Sequence, residues 1–418
     1  MRGERGRRVF ASDIAARSDG EIRDAVTGWL RENLPAGWVQ AIDDGDAAAL
    51  AVARQGLDID DWWERLGEAG WYFSNWPVAY GGLGLAPEQT ASVNDVLRSF
   101  KVPRSDNPLG LNVAHALLRW GSEAQKSRFL PLISNQKEIW VQLFSEPGAG
   151  SDLAGPSTRA VRDGDVWVIN GQKIWSSHAH RAQFGFLLCR TDPDVPKRQG
   201  LSVLLLDMST PGITVRPLKQ MTGESRFNEV FFDDVVCGDA MRVGELGEGW
   251  QIASQLLAFE RGTGGGGGTA PPGMEMGRSV DALRRHYGSV EDPIMLERMA
   301  LAYSLERVAA WTRERVQASR KAGKSNGFEA SLLKLFNSDN AQALQTLSLD
   351  LEGLNGIAHR PDDRWAGASA YAFLRVRSQT IAGGSSEMQH NILGERVLGL
   401  PREPSADGGI PWRDIRRS

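Results

Sequence analysis

Residues 142–152 read Gln-Leu-Phe-Ser-Glu-Pro-Gly-Ala-Gly-Ser-Asp, and residues 170–177 follow as Asn-Gly-Gln-Lys-Ile-Trp-Ser-Ser. The first motif places a proline and two glycines between the hydroxyls of Ser145 and Ser151. Small residues let a backbone approach a flat polar ligand closely and offer it N–H and O–H groups. The second motif ends in an aromatic ring beside two hydroxyls, which suits one wall of a ring-shaped ligand. Each motif alone is typical of a surface loop or a hairpin, but the pair in this order and spacing indicates a binding site.

The chain has 418 residues, of which 41% are hydrophobic and 24% are charged, as in an ordinary globular protein with two or three packed units. A net charge of −4, without a basic stripe, argues against nucleic-acid binding. No apolar run approaches the roughly 18 to 20 residues of a membrane span, and no export signal is expected. The two cysteines, Cys189 and Cys237, are expected to be buried thiols of a reducing cytoplasm.

The periodicity of apolar residues changes twice along the chain and predicts an α+β multidomain fold. Helices dominate residues 1–137, strands dominate 138–240, helices return over 241–403, and 404–418 is a polar tail. This order lacks βαβ alternation and a Gly-x-Gly-x-x-Gly motif after a strand, which argues against a Rossmann fold.

Individual elements can be placed from the same patterns. Helices are predicted at Glu21–Glu32, Ile59–Ala69, Glu88–Phe100, Glu123–Ile133, Trp250–Arg261, Ile294–Ala318, Phe328–Leu351 and Ala368–Thr380. Strands are predicted at Phe184–Arg190, Leu201–Asp207, Ile213–Leu218 and Glu229–Val236. Asn170-Gly171 predicts a two-residue hairpin turn between strands at 166–169 and 173–175. The glycine run at 264–268 predicts a flexible break, because each glycine costs a helix roughly 1 kcal/mol relative to alanine.

One carboxylate interrupts an apolar stripe. Ala253, Leu256, Leu257 and Glu260 follow the i, i+3, i+4, i+7 rule, so Glu260 takes a core position near the end of its helix. Burial and the negative end of the helix dipole would both raise its pKa, which suits a general base near neutral pH. A buried structural ion pair is the alternative, and periodicity alone does not decide between the two.

A third motif, residues 379–389, reads Gln-Thr-Ile-Ala-Gly-Gly-Ser-Ser-Glu-Met-Gln. Its glycines would let a backbone approach a ligand, and Ser385 with Glu387 could bind polar atoms. The alternative is a turn between helices with Ser385 or Ser386 as the N-cap.

Other site types find little support in the sequence. His178-Ala179-His180 has no third ligand at a recognisable spacing, so no metal site is predicted. No Ser/His/Asp set or Gly-x-Ser-x-Gly elbow is visible, which argues against an acyl-transfer hydrolase.

From roughly Pro77 to Glu403 the chain resembles the acyl-CoA dehydrogenase family. The segments that carry the resemblance are 80–84 (Tyr-Gly-Gly-Leu-Gly), 145–152, 173–177, 228–235 (Asn-Glu-Val-Phe-Phe-Asp-Asp-Val), 244–250, Glu260-Arg261 and 384–387 (Gly-Ser-Ser-Glu). The resemblance implies an N-terminal α-helical domain, a β-barrel-like middle domain and a C-terminal four-helix bundle, assembled as tetramers around FAD.

The resemblance also implies roles for particular residues. The residues that would line the flavin are Gln142, Phe144, Ser145, Ser151, Trp175 and Ser177. Ser385 and Glu387 would touch the cofactor near its phosphates and ribose, while Ser151, Arg261 and Gly384 would approach the acyl-CoA. In the implied reaction a carboxylate removes the α-proton, the β-hydride passes to flavin N5, and the electrons leave to an electron-transfer flavoprotein.

The position of the base separates branches of the family. Most members carry it immediately before the Gly-Thr/Ser turn, where this chain has Gly383. A smaller set, including isovaleryl- and long-chain-type enzymes, carries it on the helix before an arginine, which is the place of Glu260. This match favours Glu260 as the base over the ion pair. The turn and the ending at 397–403 resemble bacterial members that act on bulky acyl groups, including steroid side-chain thioesters.

Two segments that in the family usually reach across to the FAD of a neighbouring subunit depart from the family pattern here. The usual Arg-x-x-Phe-Gly is at best Arg284-Arg285-His286-Tyr287-Gly288, and the usual Gln-x-x-Gly-Gly-x-Gly has become 350–356, starting at Asp350. An acid there would face a pyrophosphate unfavourably unless it is compensated. We therefore expect an obligate oligomer, either a homo- or a heterotetramer. Two alternatives stay open: a flavin oxidase or monooxygenase, and a non-catalytic partner subunit.

Overall fold

The computed structural model describes residues 13–103, 108–262, 276–324, 330–358, 368–402, 404 and 407–415. The chain divides into two compact units, one of Met1–Val141 with Arg181–Gly185 and one of Gln142–His180 with Phe186–Ser418. The predicted glycine run at 264–268 lies outside the described residues. The division into domains at 1–137, 138–240 and 241–403 stays a prediction.

The first unit is helical around a core rich in tryptophan. Its helices are α1 (Asp19–Asn33), α2 (Ala36–Asp43), α3 (Ala47–Gln55), α4 (Ile59–Glu68), α5 (Pro87–Ser99), α6 (Pro108–Trp120) and α7 (Glu123–Ser134). Helix α1 begins at a capping box, in which Ser18 accepts from the Glu21 N–H and the Glu21 side chain accepts from the Ser18 N–H. Trp38 and Trp62 are fully buried, and the Trp38 indole N–H donates to the Phe100 carbonyl at 2.9 Å.

An eight-stranded sheet follows in the described part of the chain. Its strands are β1 (Trp140–Leu143), β2 (Arg159–Asp163), β3 (Val166–Lys173), β4 (Phe184–Arg190), β5 (Leu201–Asp207), β6 (Ile213–Leu218), β7 (Phe227–Gly238) and β8 (Arg242–Val243). The order is β6-β7-β3-β2-β4-β5-β8, with β1 beside β4. Strands β4 and β5 are buried along almost their whole length, as their unbroken apolar runs predict.

Helices return after the sheet. They are α8 (Gly249–Gly262), α9 (Val280–Tyr287), α10 (Pro293–Lys321), α11 (Ala330–Glu352), α12 (Leu354–Ile357), α13 (Ala368–Val376) and α14 (Ser386–Ile392), with a 3-10 turn at Arg377–Thr380. Helix α11 contacts α8, α10, α13 and α14, so it is the shared neighbour of this helical layer. The predicted α+β fold is confirmed. None of the described helices is long and apolar enough to cross a membrane.

The hairpin predicted at Asn170-Gly171 is wrong. Strand β3 continues through both residues and pairs with β7 across a register shift between Ile169 and Gly171. The Asn170 amide donates to the Asp234 carboxylate at 2.8 Å and accepts from the Asp234 N–H at 3.1 Å. A Cβ on Gly171 would lie 2.6 Å from the Thr158 Cα. The glycine therefore permits a close approach to Thr158, the residue before β2, rather than a reversal of the chain.

The described part of the segment predicted as a polar tail packs on the loop after β4. The Trp412 N–H donates to the Val195 carbonyl and the Arg413 N–H to the Pro193 carbonyl, both at 3.0 Å. The Arg190 guanidinium lies 4.6 Å from the centre of the Trp412 ring. These contacts hold Trp412 and Arg413 against the loop after β4.

Candidate active site

The first two motifs are joined by their backbones. The Ile174 N–H donates to the Ser145 carbonyl at 2.9 Å, directly after β3. Within the first motif, Glu146 and Ala149 exchange backbone hydrogen bonds of 3.0 and 3.1 Å across the Pro147-Gly148 turn. The turn is therefore tight, and its Gly148 side faces open space, because a Cβ added there would meet nothing within 4 Å.

A buried ion pair lies beneath these two motifs. The Lys173 ammonium donates to the Glu146 carboxylate at 2.8 Å and to the Phe144 carbonyl at 2.9 Å, and the Lys173 side chain is 0% exposed. Burial lowers the pKa of Lys173, although the Glu146 carboxylate opposes that shift. Burial opposes the charged form of Glu146 as well, but Lys173 and the N–H groups of Ser157 and Thr158 hold the pKa of Glu146 below its ordinary value. The pair was not predicted from the sequence.

The predicted cofactor residues of the two motifs lie around this pair and differ in exposure. Phe144 is buried, Gln142, Ser145 and Ser177 are partly buried, and Ser151 and Trp175 are exposed. Trp175 is 59% exposed and has a φ of 60°, which is uncommon for a bulky residue. Strained backbone of this kind persists where surrounding contacts hold it, often at ligand sites. The motifs thus present an aromatic ring beside hydroxyls and bare backbone.

Strand β7 fixes the end of the second motif. Ser176 and Asn228 exchange backbone hydrogen bonds of 3.0 and 3.1 Å, and the Asn228 amide also donates to the Ser176 carbonyl at 2.9 Å. Phe227 packs edge-on against Trp175 with ring centres 6.0 Å apart. The Ser176 hydroxyl is buried and finds no hydrogen-bond partner among the described residues. Unsatisfied buried polar groups are few in native proteins, so this hydroxyl marks a place where a ligand could supply a partner.

Two contacts connect this region to the C-terminal helices. The Arg375 guanidinium on α13 lies 5.9 Å from the centre of the Phe227 ring. The Tyr371 hydroxyl, on the same helix, donates to the Glu224 carboxylate at 2.5 Å. Helix α13 is thereby held against the segment that supports Trp175.

Helix α8 carries the predicted base. Its first residue, Gly249, touches the backbone of β5, since a Cβ there would lie 2.6 Å from the Ser202 nitrogen. Ala253 and Leu256 are buried, whereas Glu260 is partly buried at the margin of the same stripe. Glu260 is therefore less buried than the predicted core position implies. The backbone of Arg261 continues α8, and its side chain lies outside the described residues.

The glycine turn of the third motif is held by two side chains. The Gln389 amide is 0% exposed and donates to the carbonyls of Gly383 at 3.1 Å and Gly384 at 3.2 Å. The Lys334 ammonium on α11 donates to the Gly384 carbonyl at 2.6 Å. Both glycines have positive φ, of 70° and 98°. A Cβ on Gly384 would lie 2.5 Å from the Gln389 nitrogen, whereas one on Gly383 would meet nothing within 4 Å.

Ser385 and Glu387 begin α14. The Ser385 hydroxyl accepts from the Met388 N–H at 3.4 Å, so the alternative role as N-cap is confirmed for Ser385. Glu387 is exposed, and its own N–H together with the Ser385 hydroxyl holds its pKa below the ordinary value. The carboxylate is therefore ionised at neutral pH.

The two segments that depart from the family pattern lie at the end of α9 and across the end of α11 and the start of α12. Arg284 is exposed on α9, while Tyr287 turns inward and donates to the Glu352 carboxylate at 2.8 Å. Asp350 pairs with Arg298 of α10 at 2.7 Å. The acid that replaces the usual glutamine thus has a compensating cation.

Comparison with known proteins shows the family. Family models for the N-terminal, middle and C-terminal domains of acyl-CoA dehydrogenases match residues 19–137, 142–235 and 247–398. Acyl-CoA dehydrogenase IpdE1 of Mycobacterium tuberculosis is 36% identical over 397 residues, covering 92% of this chain and 98% of that relative. The chain belongs to the acyl-CoA dehydrogenase family. It is an oxidoreductase of that class, as the motifs predicted.

Solved structures of acyl-CoA dehydrogenases share the fold. One described as the Tcur3481-Tcur3483 steroid ACAD has a TM-score of 0.72 at 26% identity, covering 92% of this chain and 98% of that chain. The ChsE4-ChsE5 complex from Mycobacterium tuberculosis has a TM-score of 0.69 at 26% identity with the same coverage.

Membership of this family implies FAD, and the residues described above fit such a group. The Gly148 turn leaves backbone open to a planar ligand, Trp175 offers an exposed ring, and the buried Ser176 hydroxyl lacks a partner among the described residues. We call residues 142–151 together with 173–177 the flavin wall.

Proposed function

We propose that this acyl-CoA dehydrogenase converts an acyl-CoA thioester to the trans-2-enoyl-CoA with FAD as cofactor. One observation carries the proposal: the first two motifs form a single polar and aromatic face. Glu146 of the first motif and Lys173 of the second, 27 residues later, form the buried ion pair that joins them. This face carries the exposed ring of Trp175 beside hydroxyls and open backbone at Gly148, which suits a flat polar cofactor.

The residues of the flavin wall would hold the cofactor. Gln142, Ser145, Ser151 and Ser177 would donate or accept hydrogen bonds, while Phe144 and Trp175 would supply apolar surface. Ser385 and Glu387 would meet the ribose and phosphate region, and Arg284 would reach the cofactor of a neighbouring subunit. FAD, when bound, would accept the β-hydride at N5 and later release the electrons to an electron-transfer flavoprotein.

Glu260 would take the α-proton onto its carboxylate as the double bond forms. Gly383, at the alternative position for the base, carries no side chain, so it cannot act in that role. A partly buried carboxylate at the margin of an apolar stripe keeps access to a substrate while water is partly excluded, which suits a general base. Ser151, Gly384 and Arg261 would approach the acyl-CoA thioester.

The acyl group would be bulky. The open space beside Gly383 supports this substrate class, because a side chain at that position would project into it. The neighbour described as a steroid ACAD agrees with a polycyclic or branched acyl chain.

The chain would work as a homo- or heterotetramer. Ile294, Leu301 and Val308 recur every seven residues along α10 and are 64%, 63% and 38% exposed. Apolar side chains exposed along one helix face mark a surface for association. The similar structure of the ChsE4-ChsE5 complex, which contains two different subunits, supports a heterotetramer. Light scattering of the chain alone, compared with the chain co-expressed with a paralogue, distinguishes the two assemblies.

Anaerobic titration of the FAD-loaded protein tests the activity. Short, branched, long and steroid-type acyl-CoAs would be added in turn while the visible absorption of oxidised flavin is followed. We expect bleaching by the bulky thioesters. Aerobic turnover without an added electron acceptor would instead favour an oxidase or monooxygenase. If the flavin is bleached only when a second subunit is present, the hypothesis of a non-catalytic partner subunit is favoured.

A further inference from the structure

The ion pair between Lys173 and Glu146 lies within the flavin wall but takes no direct part in the reaction just described. The Lys173 side chain is 0% exposed and that of Glu146 is 6% exposed. Replacing a buried ion pair by apolar residues of similar volume is often neutral or stabilising, so stability alone does not account for such a pair.

The partners of the pair are mostly backbone groups of the flavin wall and the loop beside it. Glu146 accepts from the Ser157 N–H at 2.6 Å and from the Thr158 N–H at 3.0 Å. Lys173 donates to the Phe144 carbonyl at 2.9 Å. The pair therefore sets the relative position of three segments: the first motif, the loop before β2, and the end of β3.

We infer that Lys173 is a positioning residue, whose ammonium fixes the Phe144 carbonyl and thereby presents Phe144 and Ser145 to the flavin. The inference rests on the proposed function, since it assigns a task to the flavin wall. Charge-assisted hydrogen bonds are shorter and stronger than neutral ones, which suits a group that must hold a loop within a fraction of an ångström.

Three variants separate positioning from stability. Lys173→Met removes the donor and leaves the Glu146 carboxylate buried without its cation. Lys173→Met with Glu146→Gln removes both charges, so the cost of the unpaired carboxylate disappears while the Phe144 carbonyl still lacks its ammonium donor. Trp167→Phe is the matched control on β3, because it deletes the 2.8 Å hydrogen bond to Asp239 away from the flavin wall.

Each protein is assayed by its FAD dissociation constant, the absorption spectrum of its bound flavin and its melting temperature. We expect Lys173→Met to weaken FAD binding about tenfold or more and to melt earlier. The double variant should recover melting temperature without recovering FAD affinity or spectrum. Trp167→Phe should melt earlier and bind FAD as the wild type does.

Several outcomes would overturn the inference. Wild-type FAD affinity and spectrum in Lys173→Met would do so, and so would a double variant in which affinity returns together with melting temperature. If Lys173→Met does not fold, the double variant carries the same test, with weak FAD binding expected and wild-type binding as the contrary result. A wild-type chain that binds no FAD would instead overturn the proposed function itself.

Discussion

The flavin wall and the proposed acyl side of the candidate site, formed by α8 with Gly383 and Gly384, are built in different ways. The flavin wall rests on a buried ion pair with four short hydrogen bonds of 2.6 to 3.0 Å, and its loops are fixed by strands β3 and β7. On the acyl side, Glu260 is partly buried and open space adjoins Gly383. A rigid surface suits an invariant cofactor, whereas an open one suits a large or variable acyl chain.

The difference implies that substitutions in the two regions change different quantities. Those in the flavin wall should change cofactor affinity and spectrum, and those on the acyl side should change the rate of proton abstraction and the choice of substrate.

The largest effect is expected at Glu260. Glu260→Gln should leave FAD affinity intact and slow bleaching by an acyl-CoA about a hundredfold to ten-thousandfold, because an amide cannot accept the α-proton. Anaerobic stopped-flow absorbance measures this rate. Glu245→Gln, an exposed carboxylate just before α8, is the control and should bleach normally. Unchanged bleaching in Glu260→Gln would remove this residue from the mechanism.

The glycine turn offers a pair of adjacent substitutions. Gly383→Ala and Gly384→Ala both place a side chain at positive φ, at a cost of roughly 1–2 kcal/mol each. Gly384→Ala should be worse, because its Cβ would lie 2.5 Å from the Gln389 nitrogen, which holds the turn. We expect it to melt several degrees lower than Gly383→Ala in thermal denaturation. Equal melting temperatures would show that Gln389 yields freely and does not clamp the turn.

A smaller effect is expected for the exposed ring of the flavin wall. Trp175→Ala should weaken FAD binding about threefold to tenfold through lost aromatic contact, with little change in melting temperature because the side chain is 59% exposed. Val161→Ala on β2, at 57% exposure, serves as the control for losing exposed apolar surface. Fluorescence titration with FAD measures both. Equal FAD affinities in Trp175→Ala and Val161→Ala would place the cofactor away from the Trp175 ring.

The smallest effect concerns the thiols. Cys189 and Cys237 are free and buried, as the sequence predicts, and burial raises the pKa of Cys189 to about 12 and that of Cys237 to about 11. Deprotonation is required for attack on a thiol reagent, so neither should be labelled in the native protein at mildly alkaline pH. Both should react after denaturation. Rapid native labelling would indicate that the sheet beneath the flavin wall opens readily.

Much of this architecture follows from sequence patterns. The strands β4, β5 and β6 have the bounds that their apolar runs predict, and α8 ends within a residue or so of the prediction. The first two motifs also lie together in the structure, joined by the hydrogen bond from the Ile174 N–H to the Ser145 carbonyl.

Two features escaped the local patterns for identifiable reasons. Asn170-Gly171 carries the strongest hairpin signal, but the contact between Gly171 and Thr158 is tertiary and overrides it. The wrong hairpin prediction also concealed that Lys173 is buried. In the continuous strand β3, alternation places Lys173 on the same face as Trp167 and Ile169, whereas a hairpin would interrupt that alternation. A lysine on an inward strand face predicts a buried partner, although the identity of Glu146 depends on long-range packing.

A single-turnover experiment tests the central claim most directly. FAD-loaded protein is mixed anaerobically with excess acyl-CoA, and the thioesters are analysed by mass spectrometry. The account predicts a product lighter than the substrate by two hydrogens, in an amount equal to the flavin bleached. A thioester left unchanged while the flavin stays oxidised with every acyl class would contradict it.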